Sequence, residues 1–274
     1  MANPRELQYL IPCAFDYKEK AGGKTEKREV VVGEATKFET LSRDAESGTT
    51  QPIVYTFSVD DKVIMFIDTP GIGDTRGITQ DEKNMRGILR TLERAAVDKL
   101  SAVLILLEPN RKRLTPSFKF CLTELLRHLH LDIIKNNMLF GFTSASTTHD
   151  TLGSTEGLLK GVFGELKLDI ALGDRNQYFF DSGGFMFLAD YKLHGRQMQD
   201  RPSFDKMWTH SGDEAHRLLS TVMDLDAHDV RRAIDMNRIR RVLDGMAPPL
   251  AEFTAQMKQS QTVAEKKKQE LEAL

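Results

Sequence analysis

Apolar and polar positions alternate along this chain in blocks that separate short buried runs from longer amphipathic ones. Residues 63–67, Val-Ile-Met-Phe-Ile, are too few for a helix and predict a strand buried on both faces that delivers Asp68 to its carboxyl end. Residues 102–107 and 138–142 predict two more buried strands, the second ending at Thr143, and residues 177–180 a further strand that turns at Asp181-Ser182-Gly183. Helical patterns lie between them. Met85, Ile88, Leu89, Leu92 and Ala96 share one face behind Thr79 and Glu82, which have capping-box spacing. Phe118, Cys121, Leu122, Leu125, Leu126 and Leu129 follow Thr115 and Pro116, a cap and first helical residue, and another helix spans about 155–167. Strands alternating with helices predict an α/β fold, a mostly parallel sheet with helices on both faces and ligands at the carboxyl ends of its strands. Asp68, Thr143 and Asp181 occupy such ends.

Two hairpins complete the β content. Residues 53–57 form a strand joined by a turn at 59–62 to the strand at 63–67, and the apolar stretches near 9–15 and 28–33 flank a polar turn. From Pro202 onward the pattern is helical. Arg231, Arg232, Arg238, Arg240 and Arg241 are interleaved with Asp229, Asp235 and Asp244, the composition of a solvated, ion-paired face. After Pro248-Pro249 a last helix carries Leu250, Phe253 and Met257 and runs into a charged end. The expected organisation is an α/β domain over 1–195 and a helical extension over 196–274.

Charge and composition narrow the partners. A net charge of -2 in 274 residues gives no electrostatic reason to bind nucleic acid or an anionic membrane. No apolar run is long enough to span a bilayer. Cys13 and Cys121, the two cysteines, are too few for a disulfide framework or a structural zinc site, which points to a reducing, cytoplasmic setting. His128 and His130 are two apart and point to different sides of a helix, so they make no metal pair.

The candidate chemistry is at 67–77, Ile-Asp-Thr-Pro-Gly-Ile-Gly-Asp-Thr-Arg-Gly. A carboxylate at a strand tip followed by the bare amide of Gly71 suits a magnesium-bound triphosphate: the acid holds the metal's hydration shell and the amide meets a terminal phosphate oxygen. The polar stretch before residue 53 brings a threonine hydroxyl, that of Thr50, toward the same metal site. Gly22-Gly23-Lys24-Thr25 imitates a phosphate loop, but Lys18 stands where the pattern needs glycine and no buried strand precedes it, so it reads as a hairpin turn. A phosphotransferase with Asp68 as nucleophile is disfavoured because the position two residues on, where such enzymes carry a second aspartate, is Pro70.

Residues 67–77, the Thr50-Gln51 step, Arg113-Leu-Thr115 and residues 125–130, Leu-Leu-Arg-His-Leu-His, resemble the G domains of septin-like and immune-associated-type GTPases of the P-loop class. The resemblance runs from about Glu6 to past Trp208. It implies a three-layer P-loop GTPase-like sheet, GTP and Mg2+ as ligands, Thr50 and Asp68 at the metal, and Gly71, Thr143 and Asp181 in the nucleotide site. It also implies protein partners or a homo-dimer through the nucleotide face or the C-terminal helices. The chain departs from the family at its start, which holds neither the first strand nor the Gly-x-x-x-x-Gly-Lys-Ser/Thr loop. The expectation is an incomplete G domain, a truncated product that lacks its central strand and is a GTPase only when a full-length protein supplies that loop. Thr143-Ser-Ala-Ser146 lacks the acid that would read guanine, and Ile72 replaces the glutamine that orients water, so no catalytic residue is assigned. The alternative is a degenerate G fold that binds proteins and no nucleotide.

Overall fold

The computed structural model describes residues 11–21, 24–34, 49–59, 61–71, 78–94, 99–110, 116–129, 131–195, 201–229, 245–262 and 269. In chain order the elements are β1 (Cys13–Ala21), β2 (Lys24–Val32), β3 (Ile53–Val59), β4 (Lys62–Asp68), α1 (Ile78–Arg94), β5 (Lys99–Leu100), β6 (Val103–Leu107), α2 (Pro116–His128), α3 (Leu131–Asn136), β7 (Met138–Thr143), α4 (Ser154–Glu165), β8 (Gln177–Phe180), α5 (Gly183–His194), α6 (Arg201–Asp224) and β9 (His228–Asp229). A further helix, α7, covers 245–262. Contacts divide the chain into Met1–Val230 and Arg231–Leu274, so α6, beyond the expected boundary at 195, belongs to the first unit. The basic cluster over 231–241 lies outside the described residues, as do the switch-like stretch at 72–77 and the glycines at 22–23.

The centre of the first unit is a parallel three-stranded sheet in the order β6-β7-β8. The period-2 alternation of its strands sends Ile105, Leu107, Phe140 and Phe142 to one face, where Phe118, Leu122 and Leu126 of α2 and Leu159, Val162 and Phe163 of α4 cover them. Each of these large apolar side chains contributes about 1.5–3 kcal/mol on burial. Leu104, Leu106, Gly141 and Phe180 share the other face, and a Cβ on Gly141 would sit 2.7 Å from Leu106 Cδ2. Cys121 is buried in α2 as core.

The outer edge of β8 is closed by a helix. Residues 177, 179 and 181 turn their backbone groups outward, and side chains three apart on α6 meet them. Arg217 Nη2 donates to the Gln177 carbonyl (2.5 Å), Phe179 N–H donates to Glu214 Oε2 (2.8 Å), and Asp181 N–H donates to Ser211 Oγ (2.8 Å). Polar side chains thus do for this edge what another strand would do.

The hairpins form separate ladders. β1 pairs antiparallel with β2, and the strands run further than the apolar pattern implies, through the charged residues expected to form the turn. Lys24 and Thr25 lie in β2 and not in a strand-to-helix loop. Val30 and Val32 of this hairpin pack on Ala189 of α5. β3 pairs antiparallel with β4, as expected. One expectation is corrected here: β4 is not buried on both faces, because Val63 is 73% exposed and Met65 46% exposed. Pairing with β3 satisfies one edge of β4 and covers neither face, so the apolar run supplies two apolar faces while the side that carries Val63 and Met65 stays exposed. Among the described residues, β4 pairs with β3 and β6 with β7, and no strand joins the two sheets.

Candidate functional site

Two groups of strand-end residues form. The first is at the end of β4. Thr49 Oγ1 donates to Asp68 Oδ2 at 2.9 Å, across a sequence separation of nineteen residues. Thr50, the threonine singled out from the sequence, is the next residue and is half-buried. Thr49 was not singled out: the two adjacent threonines are alike in sequence, and only the fold shows that the Thr49 hydroxyl meets the aspartate. Beyond Asp68, Pro70 is buried and Gly71 exposed, so the chain turns outward where the bare amide was expected.

The second group is at the ends of β7 and β8. Thr143 and Phe180 are partners in the parallel ladder, which places Thr143 and Asp181 side by side. The Thr143 hydroxyl donates to the Leu107 carbonyl at 3.3 Å and ties the end of β7 to that of β6. Ser144 then takes a left-handed conformation (φ 57°) that swings the chain into a single 3-10 turn at Ala145–Thr147. This brings Ser146 onto Asp181: Asp181 Oδ2 accepts from Ser146 Oγ (2.5 Å) and Ser146 N–H (3.3 Å), while Oδ1 accepts from Gly183 N–H (2.9 Å). Ser211 Oγ receives the Asp181 N–H and donates to the Asp181 carbonyl at 2.9 Å. His210, one residue earlier on α6, meets Asp150 Oδ1 through Nε2 at 3.2 Å.

Neighbouring loops are fixed to the same end. Thr155 Oγ1 donates to the Glu108 carbonyl at 3.1 Å, and Asn110 N–H donates to the Leu152 carbonyl at 3.1 Å. Gly153 has φ +55°, and a Cβ there would overlap Asn110 Oδ1, so this position requires glycine. The polar ends of β6, β7 and β8 are therefore held by hydrogen bonds among their own side chains and backbone.

Elsewhere the chemistry is bland. Burial pushes the Cys13 thiol up from its ordinary value, which disfavours the thiolate and a nucleophilic role. Among the described residues no cluster of three or more His, Cys, Asp or Glu is placed to hold a metal ion. Magnesium in nucleotide sites is held by one or two carboxylates, water and the ligand's own phosphates, so Asp68 with a threonine hydroxyl is a chemically suitable donor set. No helix among the described residues is long and apolar enough to cross a membrane. Compared with protein-family models and with curated proteins, the chain matches none.

Proposed function

We propose that this chain carries the switch half of a septin-like or immune-associated-type G domain and binds GTP with Mg2+ at the carboxyl ends of its strands. The observation that carries this reading is the Thr49–Asp68 hydrogen bond. It brings the polar stretch before β3 to the aspartate of Asp-Thr-Pro-Gly, so that a hydroxyl and a carboxylate stand together where they would hold a phosphate-bound metal ion. Mg2+ would supply charge neutralisation at the β- and γ-phosphate oxygens. Asp68 would accept from its water shell, Thr49 or Thr50 would turn a hydroxyl toward it, and the Gly71 N–H would face the terminal phosphate. The sequence holds no Gly-x-x-x-x-Gly-Lys-Ser/Thr loop, so this chain would offer few phosphate contacts and its expected affinity is low.

Among the described residues β3-β4 and β6-β7-β8 form separate sheets, which fits the finer fold assignment, a P-loop GTPase-like sheet in which a further strand would lie between β4 and β6. The same feature favours a second reading, a G fold used as a protein-interaction module. Val63, Met65 and Leu106 on these strands are exposed apolar side chains of the kind that protein partners cover. Titration with a fluorescent GTP analogue in Mg2+ and in excess chelator separates the two. Saturable, Mg2+-dependent binding in the micromolar to millimolar range supports the nucleotide reading, and no binding in that range supports the interaction module.

A further inference from the structure

The sequence lacks an acid in Thr143-Ser-Ala-Ser146, where a carboxylate would accept the N1 and N2 hydrogens of guanine. The fold restores one from the next strand. We propose that Asp181 is the specificity-determining carboxylate of the base site, reading the adjacent N–H donors of guanine in place of the missing acid; this rests on the nucleotide reading above.

The geometry carries the assignment. Ser146 stands at the position the acid would take, and its hydroxyl and N–H both meet Asp181 Oδ2, at 2.5 and 3.3 Å. The carboxylate thus reaches the place from which its strand neighbour was expected to act. Asp181 is half-buried and Ser146 exposed, so the pair is open to solvent on the side of the strand ends. The backbone of Asp181 is locked at both N–H and carbonyl by Ser211 Oγ, at 2.8 and 2.9 Å, which fixes where the carboxylate points.

Hydrogen-bond capacity is consistent with a two-donor ligand. A carboxylate offers about four acceptor sites. The Gly183 N–H uses one on Oδ1, and the two Ser146 donors share Oδ2. Of these three donors the Ser146 hydroxyl is the one free to rotate, so an incoming base can replace it and bond to both oxygens. Adenine presents a ring acceptor where guanine presents N1–H, and it lacks the 2-amino group, so it leaves the carboxylate unpaired.

Competition for a fluorescent GTP analogue on the full chain in Mg2+ tests this with GTP, ATP, ITP and XTP. The expected order for the wild type is GTP ahead of ITP, which lacks the 2-amino group, by about tenfold, and ahead of ATP and XTP by more. Asp181→Asn should weaken GTP by about tenfold or more and strengthen XTP, because an amide matches xanthine's N1–H donor and O2 acceptor. A carboxylate that only staples the two loops would weaken all nucleotides together. Wild type that binds GTP, ITP and ATP alike overturns the assignment without any variant, and so does Asp181→Asn that keeps GTP ahead of XTP. Wild type that binds no nucleotide removes the nucleotide reading and this assignment with it.

Discussion

Glu214 on α6 accepts the backbone N–H of Phe179 on β8 at 2.8 Å while two nitrogens of Arg217 hold the same carboxylate, at 2.7 and 2.9 Å. Arg217 also donates to the carbonyls of Asp174 and Gln177 and lies 4.2 Å from the centroid of the Tyr178 ring. One ion pair therefore closes a sheet edge, and it positions the residues that lead into Asp181.

Arg217→Ala removes the stacking cation, the Arg217 donors to two carbonyls and the charged partner of Glu214, which keeps the Phe179 N–H. The expected cost is about 2–3 kcal/mol in denaturant unfolding, with faster amide exchange along β8. A loss under about 0.5 kcal/mol would mean that the edge is closed by other means.

Acid should weaken this clamp in a defined direction. Burial alone would raise the Glu214 carboxyl, but the Arg217 hydrogen bond, the Phe179 N–H and the charges of Arg217 and His210 outweigh it and hold it below its ordinary 4.5. Its native value is depressed, so its stabilisation is complete above about 4.5, the unfolded value, and is lost as pH falls through the native value. Glu214→Gln should therefore lose stability at neutral pH and show a flatter pH dependence than wild type as pH falls below about 4.5. Parallel curves would exclude this titration as a contributor.

Two helical glycines make opposite predictions. A Cβ at Gly184 would lie 2.6–2.7 Å from the backbone N and Cα of Trp208, so α5 and α6 touch where only glycine fits. Gly184→Ala is expected to cost about 2–3 kcal/mol. Gly157 in α4 faces open space, and Gly157→Ala should stabilise by about 0.5–1 kcal/mol. Melting temperatures of the two variants check both signs.

Asn137 is buried, donates from Nδ2 to the carbonyls of Ser101 (2.7 Å) and Asp226 (2.9 Å), and accepts at Oδ1 from His228 Nε2 at 2.8 Å. This triple contact pins the short β5-β9 ladder to the start of β7. Asn137→Asp replaces a donor with an acceptor and should cost more than Asn137→Ala, which is expected near 2 kcal/mol. Amide exchange at 228–229 should rise in both variants; unchanged exchange there would count against the latch.

Much of this arrangement is legible from residue pattern because it depends on local periodicity. The apolar runs at 102–107 and 138–142 became β6 and β7, and α2 begins at Pro116, the expected first helical residue. Elements whose signal was not periodic were not anticipated: α3 is only Leu131–Asn136, and α5 opens on Gly183-Gly184 and carries aromatic residues on several sides. The Ser211, Glu214 and Arg217 clamp reads in sequence as an ordinary polar helix face, since nothing local reveals a sheet edge beside it. The candidate site shows the same limit. Asp68, Thr143 and Asp181 were identified as strand ends, whereas Thr49, Ser146 and Ser211 gained meaning from contacts across 19, 35 and 30 residues.

Isothermal titration of GTP into wild type, Asp68→Ala and Thr49→Val, each with Mg2+ and with chelator, tests the central claim most directly. Wild type is expected to bind at least about tenfold more tightly with Mg2+ than without. Asp68→Ala should lose that difference, and Thr49→Val should lose part of it. Equal affinity in wild type and Asp68→Ala with Mg2+ present, or no heat from wild type at millimolar GTP, would contradict a metal and phosphate site at the end of β4.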